Sequence, residues 1–296
     1  MISIDTKDTP VPKLHQYLLG AIAPRPIAFA STIDAQGRPN LAPFSFFNVF
    51  SVKPPIVIFS PARRGRDNTT KHTYENALAV KECVINIVNY DMVQQMSLTS
   101  AEFPEGVNEF EKSGLTPLAS ELVRPFRVAE SPVQMECKIN EVLALGNEGG
   151  AGNLIICEVL RIHMDEKIFD DLGRISPYKI DTVSRLGGSY YSRARNGLFE
   201  LPQPSNNLGI GFDQLPADVR SSSVLTGNDL GQLASVQQLP DETSVNEYKL
   251  LELDELFMEN ENDSKALELR LHEKAKELLS QNNIDDAWRT LLTYNN

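Results

Sequence analysis

Residues 23–60 read APRPIAFASTIDAQGRPNLAPFSFFNVFSVKPPIVIFS, and this stretch decides the fold because three strand-like runs follow one another closely. Residues 27–33 form an apolar run, and residues 34–37 follow as a turn in which Gly37 tolerates a positive φ. Residues 40–49 form a second extended run. Pro54 and Pro55 then interrupt pairing before residues 56–59, which are β-branched and aromatic. The stretch predicts a β region.

The second run combines aromatic with small polar side chains. Phenylalanines at 44, 46, 47 and 50 are interrupted by Ser45, Asn48 and Ser51. Flat apolar groups beside hydroxyl and amide groups suit a planar ring with polar edges. An ordinary hairpin with a half-buried aromatic face would show the same periodicity, so the pattern alone leaves both interpretations open.

A basic segment, residues 60–76, follows directly. Four cations lie within nine positions of an otherwise acidic chain: Arg63, Arg64, Arg66 and Lys71. Thr70 or Thr73 is expected to cap a helix running toward residue 79, whose first N–H groups would face an anion. Charge, hydroxyl donors and a helix start together suit a phosphate monoester. A solvated basic loop is the alternative interpretation.

Further strands are predicted over residues 82–88, 134–142 and 153–163, the last two as an antiparallel pair across a glycine-rich turn. We assign residues 1–204 to one domain and residues 205–240 to an extended arm or interface segment. Residues 241–296 are then an acidic linker and helical tail, with an amphipathic helix over residues 264–279 capped by Ser264. Such a tail is more typical of docking than of catalysis.

Composition narrows the class of protein. The net charge is −12, of which residues 241–296 carry −8, and this argues against nucleic-acid binding as the main role. No apolar run is long enough to predict a membrane span. The start of the chain lacks a signal-peptide layout, and three widely spaced cysteines suit a reducing cytoplasm. The four histidines are scattered, so no metal site is predicted.

Several ordered motifs resemble the flavin reductase-like, FMN-binding split-barrel family, which includes flavoredoxin. The resemblance covers roughly residues 10–204 and leaves out the acidic tail. Its motifs are residues 23–32, residues 40–48, Pro54-Pro55, residues 84–87, residues 154–159 and residues 185–190.

The resemblance implies a mainly β fold with flanking helices: a six-stranded antiparallel Greek-key split barrel, forming a homodimer with FMN near the dimer interface. In similar proteins a Lys-Asp-Thr motif holds the phosphate, and here the motif reads Lys71-His72-Thr73. We predict no dedicated catalytic residue, because flavin carries the redox chemistry. The predicted cofactor-binding residues are Ser31, Thr32, Pro43, Phe44, Ser45, Phe46, Asn48, Ser60, Arg63, Lys71, Thr73 and Asn76.

Three functions follow from these observations. The first is an oxidoreductase in which NADH or NADPH reduces FMN and electrons pass to an unidentified acceptor. No G-x-G-x-x-G follows a strand, so the nicotinamide cofactor would have to stack directly on the flavin. The second is an FMN-binding electron carrier without NAD(P)H activity. The third is a scaffold whose acidic tail recruits partners and whose barrel holds no flavin.

Overall fold

A computed structural model describes residues 1–201 and 208–294. The chain divides into two compact units, Met1–Phe199 and Glu200–Asn296, called unit 1 and unit 2 below. The domain boundary predicted at residue 204 lies outside the described residues.

Unit 1 is built on one seven-stranded sheet, in which every pairing is antiparallel and the strand order is β2-β1-β5-β8-β9-β4-β3. Its strands are β1 (Ala28–Ile33), β2 (Pro39–Phe44), β3 (Phe47–Val52), β4 (Pro55–Phe59), β5 (Glu82–Ile87), β8 (Val133–Ala144) and β9 (Asn153–Met164). Two small sheets pair β6 (Pro117–Leu118) with β7 (Arg127–Val128), and β10 (Val183–Arg185) with β11 (Tyr191–Arg193).

The chain itself forces the large sheet to curl. Strands β2 and β3 lie at opposite edges of the sheet, yet only Ser45 and Phe46 separate them in sequence. Phe44 and Phe47 are three Cα steps apart and therefore at most about 11 Å from each other. The two edges must approach within that distance, which bends the sheet into a split barrel. The predicted fold class, mainly β with flanking helices and a helical C-terminal part, is confirmed.

The predicted strands differ from the observed ones mainly at one place. Runs 27–33, 56–59, 82–88, 134–142 and 153–163 correspond to β1, β4, β5, β8 and β9. The run 40–49 was predicted as one strand and is instead divided at Ser45 and Phe46, where the chain crosses from one sheet edge to the other. This division gives seven strands where the resemblance implies six.

The barrel interior is filled by alternate residues of neighbouring strands. Ala28 and Ala30 of β1 face the same cluster as Val57 and Phe59 of β4. All three cysteines, Cys83, Cys137 and Cys157, are buried free thiols in this cluster. The opposite face of β1, which includes Phe29, packs in a second cluster with Leu41, Met96 and Phe110. Strand β1 is therefore buried on both faces and belongs to both clusters.

Five helices flank the sheets of unit 1. They are α1 (Val11–Ala21), α2 (His72–Val80), α3 (Val93–Leu98), α4 (Glu109–Ser113) and α5 (Pro177–Ile180). Helix α2 packs on β1 and β2, and α4 packs on β2. These two helices therefore flank the same edge of the barrel.

Unit 2 is helical in its described part, with α6 (Ala217–Arg220), α7 (Gly227–Ala234), α8 (Glu242–Glu252), α9 (Asp254–Glu259), α10 (Ser264–Ser280) and α11 (Ile284–Leu292). Its core surrounds the fully buried Trp288, whose Nε1 donates to the carbonyl oxygen of Leu233 at 3.0 Å. Asp263, rather than the predicted Ser264, caps α10. Among the described helices of both units, none is long and apolar enough to cross a membrane.

The structure also differs from the prediction of an extended arm over residues 205–240. Within the described part of that range, Leu215, Leu230 and Leu233 are buried in the same core as Leu278 and Trp288. The sequence of this range shows weak periodicity because its helices are short, and their apolar faces are completed by α10 and α11.

Candidate functional site

A cavity of about 480 Å³ in unit 1 joins the end of β2 to the basic segment. A volume in the range of roughly 300–1,000 Å³ is typical of small-molecule and cofactor sites. Besides glycine and alanine positions and the polar residues Thr99 and Ser100, it is lined by Asn40, Pro43, Phe44, Arg63, Arg64, Arg66, Lys71, His72, Thr73, Glu102, Phe103 and Glu109. Five of the twelve predicted cofactor-binding residues are in this set: Pro43, Phe44, Arg63, Lys71 and Thr73.

The basic segment is an internally braced loop. The N–H of Arg64 donates to the carbonyl oxygen of Thr69 at 2.8 Å, and the N–H of Asn68 donates back to that of Arg64 at 2.9 Å. Arg63 pairs through its backbone with Ala151 and Gly150 of the turn between β8 and β9. A Cβ at Gly149 of that turn would lie 3.1 Å from the carbonyl oxygen of Arg64, so the close approach favours glycine. These contacts brace the loop, while residues 65–69 within it stay exposed.

Three of the four cations converge on one carboxylate. Arg64 Nε and Lys71 Nζ each lie 2.9 Å from Oε1 of Glu102, and Arg66 Nη2 lies 2.7 Å from its Oε2. Glu102 belongs to the connection between α3 and α4. Hydrogen bonds from Lys71 and Arg64 lower the pKa of Glu102 to about 2, so the carboxylate is ionised at neutral pH. The cavity therefore concentrates positive charge around an anion.

Arg63, the arginine included in the predicted set, is held differently. Its Nε donates to Asn68 Oδ1 at 2.7 Å and its Nη2 donates to the carbonyl oxygen of Asn68 at 2.6 Å. Arg64 is more deeply placed, with a side chain that is 15% exposed, and Nη1 donates to Thr69 Oγ1 at 3.0 Å. Arg64 and Lys71 differ from Arg63 in that both contact the same carboxylate oxygen, Oε1 of Glu102.

The aromatic side of the cavity is held by packing. The ring of Phe44 lies against that of the fully buried Phe59, with centroids 5.5 Å apart. The predicted ring-binding segment divides here. Ser45, Phe46 and Asn48 do not line this cavity, and the side chains of Phe46 and Asn48 are exposed.

Four buried polar side chains form a network between α2 and the sheet. Asn40 Nδ2 donates to Thr73 Oγ1 at 3.0 Å and to Thr32 Oγ1 at 3.3 Å. Asn76 Nδ2 donates to Thr32 Oγ1 at 3.1 Å. In this arrangement Thr32 and Asn76 fix the start of α2 against β1, while Thr73 and Asn40 also line the cavity.

The predicted cap of α2 is wrong. Lys71 occupies the N-cap position, but its side chain makes no capping hydrogen bond, and Thr73 lies inside the helix. Thr70 instead donates to the Glu75 carboxylate, and Thr73 accepts from Asn40. The hydroxyl groups of Thr70 and Thr73 are therefore both hydrogen bonded to side chains. The partner of Thr73, Asn40, lies 33 positions away in the sequence.

Two predicted serines are buried without hydrogen-bond partners for their hydroxyl groups among the described residues, namely Ser31 and Ser60. Ser60 begins the basic segment, and a Cβ at Gly152 would lie 2.8 Å from its Oγ. A buried hydroxyl without a partner costs free energy, on the order of 1–3 kcal/mol. Ser60 does not line the cavity, although its near neighbours Ala62 and Arg63 do.

A buried carboxylate of α4 lines the same cavity. Glu109 is 6% exposed, and its Oε2 accepts from the Leu41 N–H at 3.1 Å. Burial raises the pKa of Glu109, while this hydrogen bond and the charge of His72 oppose the rise.

A second cavity of about 360 Å³ shares the lining residues His72 and Asn40 with the first cavity and is also lined by Asn76.

Sequence reasoning left several lining residues out of its predicted set. Arg64 carried a signal, since it lies in the basic cluster. Asn40, Glu102 and Glu109 lie among polar or surface-like residues and gain their place only through tertiary contacts. Together the cavity can accept a ligand with a flat apolar part against Phe44 and a multiply charged anionic end against the cations.

Comparison with known proteins matches this unit. A model of the "Flavin reductase like domain" matches residues 20–177. An uncharacterised protein of Aquifex aeolicus is 40% identical over 188 residues, which cover 64% of this chain and 93% of that protein. The uncharacterised protein YwrF of Bacillus subtilis is 32% identical over 205 residues, covering 68% and 96%.

Solved structures agree in fold. Nitrilotriacetate monooxygenase component B from Bacillus cereus superposes with a TM-score of 0.64 at 32% identity, covering 68% of this chain and 98% of that one. Flavoredoxin of Desulfovibrio vulgaris (Miyazaki F) has a TM-score of 0.52 at 22% identity, covering 62% and 92%, and shows the fold alone. The family match ends at residue 177, so it lies entirely within unit 1.

Proposed function

This chain belongs to the flavin reductase-like family, and on that premise we propose that it is an FMN-dependent oxidoreductase of the NAD(P)H:flavin reductase type. The observation that carries the proposal is the single cavity in which Phe44 and the cations Arg64 and Lys71 meet. Membership of the family supports a flavin-related redox role. The choice of FMN rests on the cationic end of the cavity, since FMN ends in a phosphate monoester.

The residues of the cavity fit such a ligand. Arg64 and Lys71 would hold the phosphate, and Ser60 offers an unpaired hydroxyl at the base of the same loop. Phe44, supported by Phe59, and Pro43 would contact the ring. FMN, when bound, would supply the redox chemistry between NADH or NADPH and an unidentified acceptor. The protein would supply position, charge and shelter from water, and the nicotinamide cofactor would have to bind directly at the flavin.

Homodimer formation is part of the proposal. Edge strand β3 exposes Val49, Phe50 and Val52, whose exposed fractions are 61%, 65% and 86%. An apolar edge strand is a surface that native proteins usually cover. Analytical ultracentrifugation of the wild-type chain and of Phe50→Glu tests this directly. We expect the wild-type chain to be a dimer and the variant to dissociate more readily. A wild-type chain that sediments as a monomer, like the variant, would contradict the proposal.

The activity is tested by mixing the purified chain, FMN and NADH or NADPH and following the nicotinamide absorbance. We expect oxidation faster than with free FMN, and a loss of this excess in Arg64→Ala/Lys71→Ala. FMN binding without faster oxidation would favour the electron carrier. A chain that binds no FMN would refute both redox functions and leave the scaffold.

A further inference from the structure

Glu102 occupies the place at which the proposed phosphate would bind. Its two carboxylate oxygens contact Arg64, Lys71 and Arg66 at 2.7–2.9 Å, and all four residues line the same cavity. The carboxylate comes from a separate part of the chain, 31 residues after Lys71. The Glu102 carboxylate is therefore an anion that does not belong to the basic segment but contacts its cations.

Charge and acceptor number decide which ligands can replace it. A carboxylate offers two oxygens and one negative charge. A phosphate monoester offers three oxygens and a charge of about −1.5 to −2 at neutral pH, so it competes well for the same donors. Riboflavin ends in a neutral hydroxyl group and has no comparable means of displacing Glu102.

The local balance of charge fits this exchange. Arg64, Arg66 and Lys71 are accompanied by Glu102 and by Asp67, whose Oδ2 lies 3.0 Å from Arg66 Nε. With Glu102 in place the group carries one net positive charge, and with Glu102 withdrawn it carries two. The second state matches a phosphate dianion more closely.

We propose that Glu102 is a specificity-determining residue, an internal anion that competes with the ligand's phosphate for Arg64, Arg66 and Lys71. The inference rests on the proposed function, because it assumes that these cations hold the phosphate of FMN. Displacement of Glu102 lowers the net gain from every phosphate contact. Binding of riboflavin leaves the Glu102 contacts intact and is independent of them.

The test compares two ligands in two variants. FMN and riboflavin are titrated into the full chain and into Glu102→Gln, which keeps the shape of the side chain and removes its charge. Three partly exposed ion pairs are each worth little, so we expect the ratio of FMN to riboflavin affinity to rise about three- to tenfold. Riboflavin affinity itself should not change.

The matched control is Glu105→Gln, on the same connection between α3 and α4. Glu105 Oε1 lies 2.8 Å from Arg38 Nη2 and lines the second cavity, so the affinity ratio should stay at its wild-type value. An unchanged or lower ratio in Glu102→Gln would overturn the inference and show that Glu102 only positions the cations. A wild-type chain that binds FMN no more tightly than riboflavin would instead refute the phosphate site itself.

Discussion

The two units treat buried polar groups differently. In unit 1, Ser31, Ser60 and Asn153 bury a side-chain oxygen with no partner among the described residues, and the cavity collects further polar groups. In unit 2 the buried His272 and Thr293 are hydrogen bonded, and Gln232 Oε1 is the one such atom without a partner in residues 208–294. Unit 2 closes on its own apolar core, whereas unit 1 holds a cavity lined by charged and polar side chains.

The strongest test of this contrast is Trp288→Ala. The substitution empties a fully buried site and removes the hydrogen bond to Leu233, so it should destabilise unit 2 by about 3–5 kcal/mol. Urea unfolding followed by far-UV circular dichroism measures the loss. FMN affinity should stay unchanged, while the matched core substitution Phe29→Ala in unit 1 should reduce it. An equal loss of FMN affinity in both variants would contradict the expectation that FMN binding depends on unit 1 alone.

The cations of unit 1 provide the next test. Arg64→Ala should weaken FMN binding by about 1.5–3 kcal/mol, or roughly 10- to 150-fold, because a charge-assisted hydrogen bond to phosphate is lost. Arg63→Ala should have a smaller effect, because Arg64 contacts Glu102 at the proposed phosphate position, whereas the Arg63 guanidinium bonds to Asn68. Calorimetric titration separates the two variants. A larger loss of affinity in Arg63→Ala would contradict the proposed phosphate position beside Arg64 and Glu102.

Disrupting the polar network between α2 and the sheet should have a smaller effect than the substitutions above. Thr32→Val keeps the shape of the side chain and removes the oxygen that accepts from Asn40 and Asn76. We expect about 1–2 kcal/mol of lost stability, because amide donors are left unpaired in a buried place. The thermal midpoint of unit 1 measures it, and Thr70→Val, outside the network, is the control. An unchanged midpoint would mean that other groups or water satisfy both amides.

The smallest expected effect is a pH dependence of unit 2. Burial lowers the pKa of His272, with partial opposition from Glu268 and Asp218, and Ser222 Oγ lies 2.8 Å from its Nδ1. The folded state disfavours the protonated ring, so this stability is fully present above the unfolded pKa of about 6.5 and is lost as pH falls. Emission of Trp288, the single tryptophan, reports unfolding of unit 2. His272→Gln should reduce the pH dependence of the stability of unit 2. A pH dependence as steep as in the wild-type chain would mean that other groups cause it.

The sequence predicts the strands of unit 1 well because their periodicity is local. Residues 82–88 and 153–163 are apolar runs bounded by turns, and they correspond to β5 and β9. The division at Ser45 and Phe46 has no local signal, since it depends on which sheet edge each half joins. The short helices α6 and α7 escaped prediction for a related reason: their apolar faces are completed by residues of α10 and α11.

The site was predictable in part. Pro43, Phe44, Lys71 and Thr73 lie next to one another in two short segments, so composition and resemblance indicate them. The convergence of Glu102 on Arg64 and Lys71 could not be read from the chain, because these contacts bridge more than thirty positions. The roles of the twelve predicted cofactor-binding residues stay predictions until a ligand is placed.

A crystal structure of the full chain grown with FMN tests the central claim most directly. The account predicts phosphate oxygens within hydrogen-bond distance of Arg64 and Lys71, the ring against Phe44, and the Glu102 carboxylate withdrawn from the cations. FMN bound elsewhere, or a cavity in which Glu102 keeps its three contacts at saturating FMN, would contradict it.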